Sequence, residues 1–352
     1  MLSQDELYMQ RCIQLAKLGA GNVTPNPMVG AMLVYENRII GEGYHKKYGE
    51  AHAEVNCIAS VKIADKNLVS ESTLYVSLEP CAHYGKTPPC SDLIISNKIP
   101  KVVIGSNDPF EKVNGKGIEK LKAAGIEVVT GVLEKECLEL NKRFFTFHTK
   151  QRPYIILKWA QTADKKTALN DNKRLIISNE FSNRLVHKWR AEEAAILVGT
   201  NTVLVDDPLL TNRLWSGKNP LRLTIDKYLK LPVDAKVFNK DASTIVFNFY
   251  KNTVEFDVEL SNTVYYYKIN GDAELAHQIT DACYKLNLQS ILIEGGAQLL
   301  QSFIDEKLYD EIRIITNKDL FVIKGLESPV ISTWNKIYSF PLGNDLIEFS
   351  KI

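Results

Sequence analysis

The chain has 352 residues, 45% of them hydrophobic and 24% charged, with 43 basic side chains against 42 acidic ones. That composition fits an ordinary soluble globular protein, with length enough for two domains and ample core. A net charge of +1 gives no case for general attraction to nucleic acid or to a membrane surface.

The N-terminus, MLSQDELYMQRC, has early acidic residues and no apolar run, so it does not read as a signal peptide. No segment approaches the apolar length of a membrane span, and a cytoplasmic location is expected. Residues 4–19 put Leu7, Cys12, Ile13, Leu15 and Leu18 at roughly helical spacing, with Gly19 as a stop. TPNPMVG is a turn. AMLVY and RIIGEGY are two strands joined at Glu36-Asn37, and residues 50–61 pattern as a helix. TLYVSLEP and KVVIGSNDP are further strands, GIEKLKAAG is a helix stopped by Gly125, and IEVVTGV is a short strand. This succession predicts an α/β/α sandwich over residues 1–148.

Arg152-Pro153 marks a break, and a second α/β domain is expected over 149–352. Its strands are PYIILKWA, AAILVG, LRLTID, STIVFNF, TVYYYK and QSILIEGG, with helical patterns in NEFSNRLVHKWRAEE and AELAHQITDACYKLN. The last thirty or so residues show no readable pattern.

Six cysteines stand at 12, 57, 81, 90, 137 and 283. Scattered through a long chain, they do not read as a disulfide framework, so metal or catalytic use is the better explanation of the close pair, Cys81 and Cys90. Upstream lies AHAEV, with His52 and Glu54. His52, Cys81 and Cys90 supply three N/S ligands for Zn2+ and leave a fourth position for water, whereas a structural site would be closed by a fourth residue. Zinc lowers the pKa of such a water, and Glu54 is spaced to move its proton. His-x-Glu followed by Pro-Cys and a second Cys is the zinc-deaminase signature. Here the two cysteines are nine positions apart, with AHYGKTPP between them. His83, inside that insert, is a rival ligand.

HAE followed by EPCAHYGKTPPC, together with TPNPMVGAML and GEGYH, resembles the deaminase half of the bifunctional riboflavin-biosynthesis deaminase/reductases. The resemblance implies a cytidine-deaminase-like fold and pocket roles for further residues. Asn26 would hold the pyrimidine ring, His45 would line the pocket, Lys86 and Thr87 would reach the ribose phosphate, and Asp108 would contact the amine or ribose. Phe110 stands where the family carries Asn.

In the second domain, EGG at 294–296 ends a strand and opens a helix, an arrangement that lets backbone approach a phosphate, although it lacks the spacing of a dinucleotide fingerprint. HKWRAEEAAILVGTNTVLVDDPLLTNR resembles the reductase half of the same family, which implies a dihydrofolate-reductase-like fold using NADPH. Carried over, Lys158, Gln161, Thr202, Asp206, Gly295 and Gly296 would contact the cofactor. Arg190, Leu210, Arg213 and Glu294 would contact the substrate, with the arginines on its phosphate. Asp164-Lys165-Lys166 stands where the family has Asp-Gly, Leu175 to Ser178 replaces a Trp-Ile-Ser/Thr segment, and TNKDLFVIKGLESP replaces a Gly-rich motif.

The expected enzyme deaminates a diaminopyrimidinone ribosyl phosphate and then reduces its ribosyl group to ribityl. It would act as a homo-oligomer, without nucleic acid or membrane. The alternatives are a tRNA-type nucleic-acid deaminase with an accessory domain and a closed structural zinc module.

Overall fold

The structure, a computed structural model, describes residues 2–84, 88–110, 113–171, 173–255, 263–332 and 335–351. The chain divides into two compact units, Met1–Lys150 and Gln151–Ile352. Among the described residues no helix is long and apolar enough to cross a membrane.

The first unit opens with α1 (Gln4–Lys17), started by a capping box in which Ser3 and Glu6 satisfy each other's backbone N–H. Strands β1 (Gly30–Tyr35) and β2 (Arg38–Tyr44) form a hairpin, and its two turn residues, Glu36 and Asn37, both have positive φ. That turn geometry matches the twist of the paired strands. Then come α2 (Ala53–Ala59), a 3-10 segment at Ile63–Glu71, β3 (Thr73–Leu78), α3 (Cys90–Ser96), β4 (Lys101–Ser106), α4 (Lys116–Ala123), β5 (Glu127–Thr130), α5 (Glu134–Leu140) and α6 (Lys142–Lys150). The sheet order is β2-β1-β3-β4-β5, with β3, β4 and β5 parallel.

Side chains alternate across this sheet. Leu33, Leu74, Val76, Val102 and Ile104 face α2, α3 and α4. Met32, Tyr75 and Val103 face α1 and Cys137 of α5. The buried stripe of α1 is Met9, Cys12, Ile13, Leu15 and Ala16, whereas Leu7 and Leu18 are 50% and 61% exposed. At 3.6 residues per turn those two leucines fall off the stripe that Met9 and Ala16 complete. Gly43 brings α2 close to β2. A Cβ added there would lie 2.2 Å from Cys57 N and 2.7 Å from Ala53 O.

The second unit comprises β6 (Tyr154–Thr162), β7 (Lys166–Leu169), α7 (Glu180–Glu192), β8 (Ala195–Val198), α8 (Thr200–Asp206), β9 (Leu221–Ile225), β10 (Thr244–Asn248) and β11 (Val264–Lys268). It continues with α9 (Leu275–Lys285), β12 (Ser290–Glu294), α10 (Ala297–Asp305), β13 (Glu311–Asn317), β14 (Gly325–Glu327), β15 (Lys336–Leu342) and β16 (Asp345–Lys351). The main sheet runs β11-β10-β9-β8-β12-β6-β13-β16-β15, parallel from β11 through β13 and closed by an antiparallel hairpin. β7 pairs with β14 in a separate ribbon. The chain moves outward from β8 to β11 and returns at β12, between β8 and β6. That reversal falls at the carboxyl ends of β8 and β12, the position where such sheets place ligands. Gly199 and the Glu294-Gly295-Gly296 turn stand there.

Candidate active sites

In the first unit the zinc-type residues come from two helix starts and the loop after β3. His52 is the N-cap of α2, Glu54 lies in that helix's first turn, and Cys90 is the first residue of α3. Cys81 follows Pro80 beyond the end of β3. His52 Nδ1 stands 3.6 Å from Cys81 Sγ and 3.4 Å from Cys90 Sγ, and the Cys90 N–H donates to Cys81 Sγ at 3.3 Å. The three ligand atoms all lie within 4.8 Å of one another. Tetrahedral zinc, with Zn–S of about 2.3 Å and Zn–N of about 2.0 Å, needs edges of about 3.5–3.8 Å between such atoms. The donor set therefore fits the ion. His83 is not part of this cluster, and its buried Nδ1 finds no partner among the described residues.

Glu54 is buried against the Cys90 thiol. Burial first, then the neighbouring Cys81, push its carboxyl up to about 7. The Cys90 thiol bonds Cys81 and holds the Cys81 thiol below its ordinary value, against the opposing pull of burial.

His45 sits beside this group, its ring 5.4 Å from that of His52 and edge-on to it. His45 Nδ1 lies 3.1 Å from the Ala51 carbonyl, which can only accept. The ring proton is thus on Nδ1, and Nε2 accepts from Asn26 Nδ2 at 3.2 Å. Burial lowers the His45 pKa, which agrees with this neutral ring. Asp108, past the end of β4, is buried and accepts the Phe110 N–H at 2.8 Å. Burial pushes its carboxyl up to about 7. Phe110 packs between the rings of His83 and His148. Lys86 and Thr87 lie outside the described residues.

Sequence reasoning passed over Glu79. Its buried carboxylate accepts four backbone N–H groups, from Asp108 (3.2 Å), Gly115 (3.0 Å), Gly117 (3.0 Å) and Ile118 (3.3 Å). One side chain thus holds the Asp108 loop and the start of α4 to the strand end that carries Cys81. The available signal was a carboxylate ending an otherwise apolar strand.

In the second unit, Lys158 and Glu294 are register partners on β6 and β12. Arg190 of α7 pairs with Glu294 through two bonds, at 2.7 and 2.8 Å, and Lys158 Nζ stands 3.7 Å from the same carboxylate. Burial works against the Glu294 charge, but Arg190 and then Lys158 outweigh it and hold the carboxyl down to about 2. Burial lowers the Lys158 pKa, with Glu294 opposing. Arg190 Nη1 also reaches the Thr211 carbonyl at 3.4 Å, and Arg213 Nη1 donates to Thr211 Oγ1 at 2.8 Å. Lys158, Arg190, Arg213 and Glu294 therefore form one neighbourhood.

Gly295 and Gly296 have φ of +87° and +76°, and a Cβ on them would lie 3.7 and 3.5 Å from Thr202 Oγ1. This bare backbone, facing a hydroxyl at the opening of α10, suits a phosphate-bearing cofactor. Asp206 is one turn past Thr202 on α8, and burial raises its pKa against the pull of Arg174. Leu210 has a positive φ of 53°, and its buried side chain packs with Val198, Val203 and Leu231. Gln161 is not brought to the Lys158 group. It faces the other side of β6, with its amide engaged by Trp159 Nε1 (2.9 Å) and Thr316 Oγ1 (3.1 Å).

Lys165 has φ of +60°, its N–H donates to the Thr162 carbonyl, and its own carbonyl accepts the Ser328 N–H. A glycine at this position relieves the backbone of a β6–β7 turn.

Residues 2–106 match the family model of the cytidine and deoxycytidylate deaminase zinc-binding region, and residues 153–317 match that of the RibD C-terminal domain. The chain is 40% identical over 358 residues to the riboflavin biosynthesis protein RibD of Aquifex aeolicus, covering 99% of this chain and 98% of that relative. The chain belongs to the RibD family. The RibD of Actinobacillus pleuropneumoniae is 36% identical over 332 residues, covering 92% of this chain and 86% of that relative. Among solved structures, a diaminohydroxyphosphoribosylaminopyrimidine deaminase/5-amino-6-(5-phosphoribosylamino)uracil reductase from Thermotoga maritima aligns with a TM-score of 0.87 and 36% identity, over 99% of this chain and 98% of that one. Acinetobacter baumannii RibD aligns with a TM-score of 0.86 and 30% identity, with the same coverage.

As a RibD, the chain joins a zinc-binding, cytidine-deaminase-like domain to an NADPH-dependent, dihydrofolate-reductase-like domain, and both enzymatic activities serve riboflavin biosynthesis. A zinc deaminase built for nucleic acid would leave the RibD match of the second unit unexplained.

Proposed function

We propose that the first unit hydrolytically deaminates a diaminopyrimidinone ribosyl phosphate and that the second reduces the ribosyl group of the product to ribityl. The His52, Cys81 and Cys90 cluster with Glu54 against it carries the reading of the first step. Zinc, held by those three residues, would supply Lewis acidity and lower the pKa of a water. Glu54 takes a proton from the attacking water and passes it to the departing amine, so that water enters and ammonia leaves. Asn26 and His45 orient the ring through their shared hydrogen bond, Asp108 faces the amine or ribose, and Lys86 and Thr87 take the phosphate.

In the second unit NADPH, when bound, supplies the reducing equivalents. Thr202, Asp206, Gly295 and Gly296 hold it, with Lys158 at the end nearest the substrate and Gln161 on the far face of β6. Arg190 and Arg213 receive the substrate phosphate, Glu294 fixes Arg190, and the backbone at Leu210 shapes the same loop. Positioning is the main task of these side chains. The reading includes a cytoplasmic homo-oligomer that acts without nucleic acid; the near-neutral charge supports the last point and the six free cysteines the compartment.

Mass spectrometry of the diaminopyrimidinone ribosyl phosphate after incubation with the zinc-loaded protein tests both steps. Exchange of an amine for oxygen without NADPH, then a gain of two hydrogens with it, is the expected result. An unchanged substrate in both tubes would refute the reading.

A further inference from the structure

His187 lies on α7, three residues before Arg190 and on the same face of the helix. It is buried, and its Nδ1 accepts the backbone N–H of Arg213 at 2.9 Å. The two guanidiniums nearby are held differently. Arg190 is fixed by Glu294 through two bonds. Arg213 makes no salt bridge among the described residues, and its guanidinium is bonded to the Thr211 hydroxyl. Two like charges converging on Thr211 repel each other, so something must keep Arg213 in place. The His187 bond holds the backbone from which Arg213 projects.

We propose that His187 is a positioning residue of the reductase, which sets Arg213 beside Arg190 to receive the substrate phosphate by accepting the Arg213 N–H. The proposal rests on the reading that Arg213 binds that phosphate. The ring has to be neutral with its proton on Nε2, because a protonated Nδ1 cannot accept and a cationic ring would add a third positive charge to the pair. The surroundings enforce this, since burial first, then Arg190 and Arg213, hold the imidazole down to about 4.

The test compares steady-state reduction of the deaminated ribosyl phosphate with that of its dephosphorylated form, in the full-length enzyme. Loss of one buried hydrogen bond is expected to raise the KM of His187→Leu for the phosphorylated substrate about tenfold, with kcat and the NADPH KM within about twofold. The dephosphorylated substrate should show no change. His187→Asn, whose amide oxygen occupies the place of Nδ1, should recover most of the loss. Equal losses on both substrates, or failure of Asn to recover more than Leu, would overturn the proposal. Arg213→Ala separates the two readings. If it abolishes the preference for the phosphorylated substrate while His187→Leu leaves it intact, the positioning role fails alone. If Arg213→Ala leaves the preference intact, the phosphate reading fails and the proposal falls with it.

Discussion

Three buried carboxyls behave in opposite ways in the two sites. Glu54 and Asp108 of the deaminase unit are both pushed up to about 7, while Glu294 of the reductase unit is held down to about 2. Burial favours the neutral form in all three. Glu294 differs because a buried Arg190 grips it with two bonds and Lys158 stands beside it. A carboxyl near neutrality can exchange a proton during turnover. One fixed as an anion can only orient its partners. On the proposed function, the deaminase site moves protons through Glu54, and the reductase site holds charged groups still.

The strongest way to break this contrast is Glu54→Gln. A proton carrier is worth about 10²–10⁴ in rate, so deamination should fall by that factor. Zinc content and reduction of predeaminated substrate should stay unchanged. Deaminase turnover that survives the substitution would place the proton transfer elsewhere.

Glu294→Gln attacks the other side. Removing one partner of a buried ion pair costs about 3–5 kcal/mol, because it leaves charge buried and uncompensated. The reductase unit should therefore unfold at a markedly lower denaturant concentration, while deaminase activity persists. The pH dependence has a definite sign. The Glu294 pKa falls from an ordinary 4.5 to about 2 on folding, so its stabilisation is complete above pH 4.5 and is lost as pH falls towards 2. Acid titration of the Glu294→Gln variant should show a shallower loss over that interval than wild type. Equal slopes would mean that the cluster is not charged as described.

Glu79→Gln is expected to have a smaller effect, confined to the first unit. It replaces one acceptor oxygen with a donor in front of backbone N–H groups, a mismatch of about 1–3 kcal/mol. Deaminase KM should rise as the Asp108 loop loosens, with the reductase unaffected. A normal KM would show that the loop holds its place without Glu79.

The difference between the sites also explains what could be read from the sequence. The zinc cluster is recorded locally, as two short motifs whose residues stand at the starts of α2 and α3 and in the loop after β3. The charge cluster is assembled from β6, α7, the Thr211–Arg213 loop and β12, spread over more than a hundred residues of chain, and Glu294 in EGG looks like any turn acid. Only a resemblance brought those residues together beforehand. Glu79 and His187 act on backbone N–H groups, which leave no trace in side-chain patterns. Six of the seven parallel strands of the second unit were legible as apolar runs, because both faces are covered; β13 was not, because the buried pair Glu311 and Arg313 breaks its apolar run. The hairpin β15–β16 was not. β15 is an edge strand, with Ile337 and Tyr338 about half exposed, and it lacks the alternation that marks a half-buried strand.

The smallest expected effect concerns Lys165, where the family carries glycine, a residue that lets backbone approach a cofactor. The backbone gives another reason for glycine, a φ of +60° in the turn between β6 and β7. A left-handed conformation costs a residue with a Cβ about 1–2 kcal/mol. Glycine avoids that strain but adds unfolded-state entropy worth roughly half to one kcal/mol. Lys165→Gly should therefore stabilise the reductase unit by about 1 kcal/mol or less, a rise of a few degrees in its unfolding temperature. The NADPH KM should not move, because the change acts on the turn alone. A several-fold fall in that KM would instead show that the lysine side chain obstructs the cofactor, and would make this position part of the reductase site.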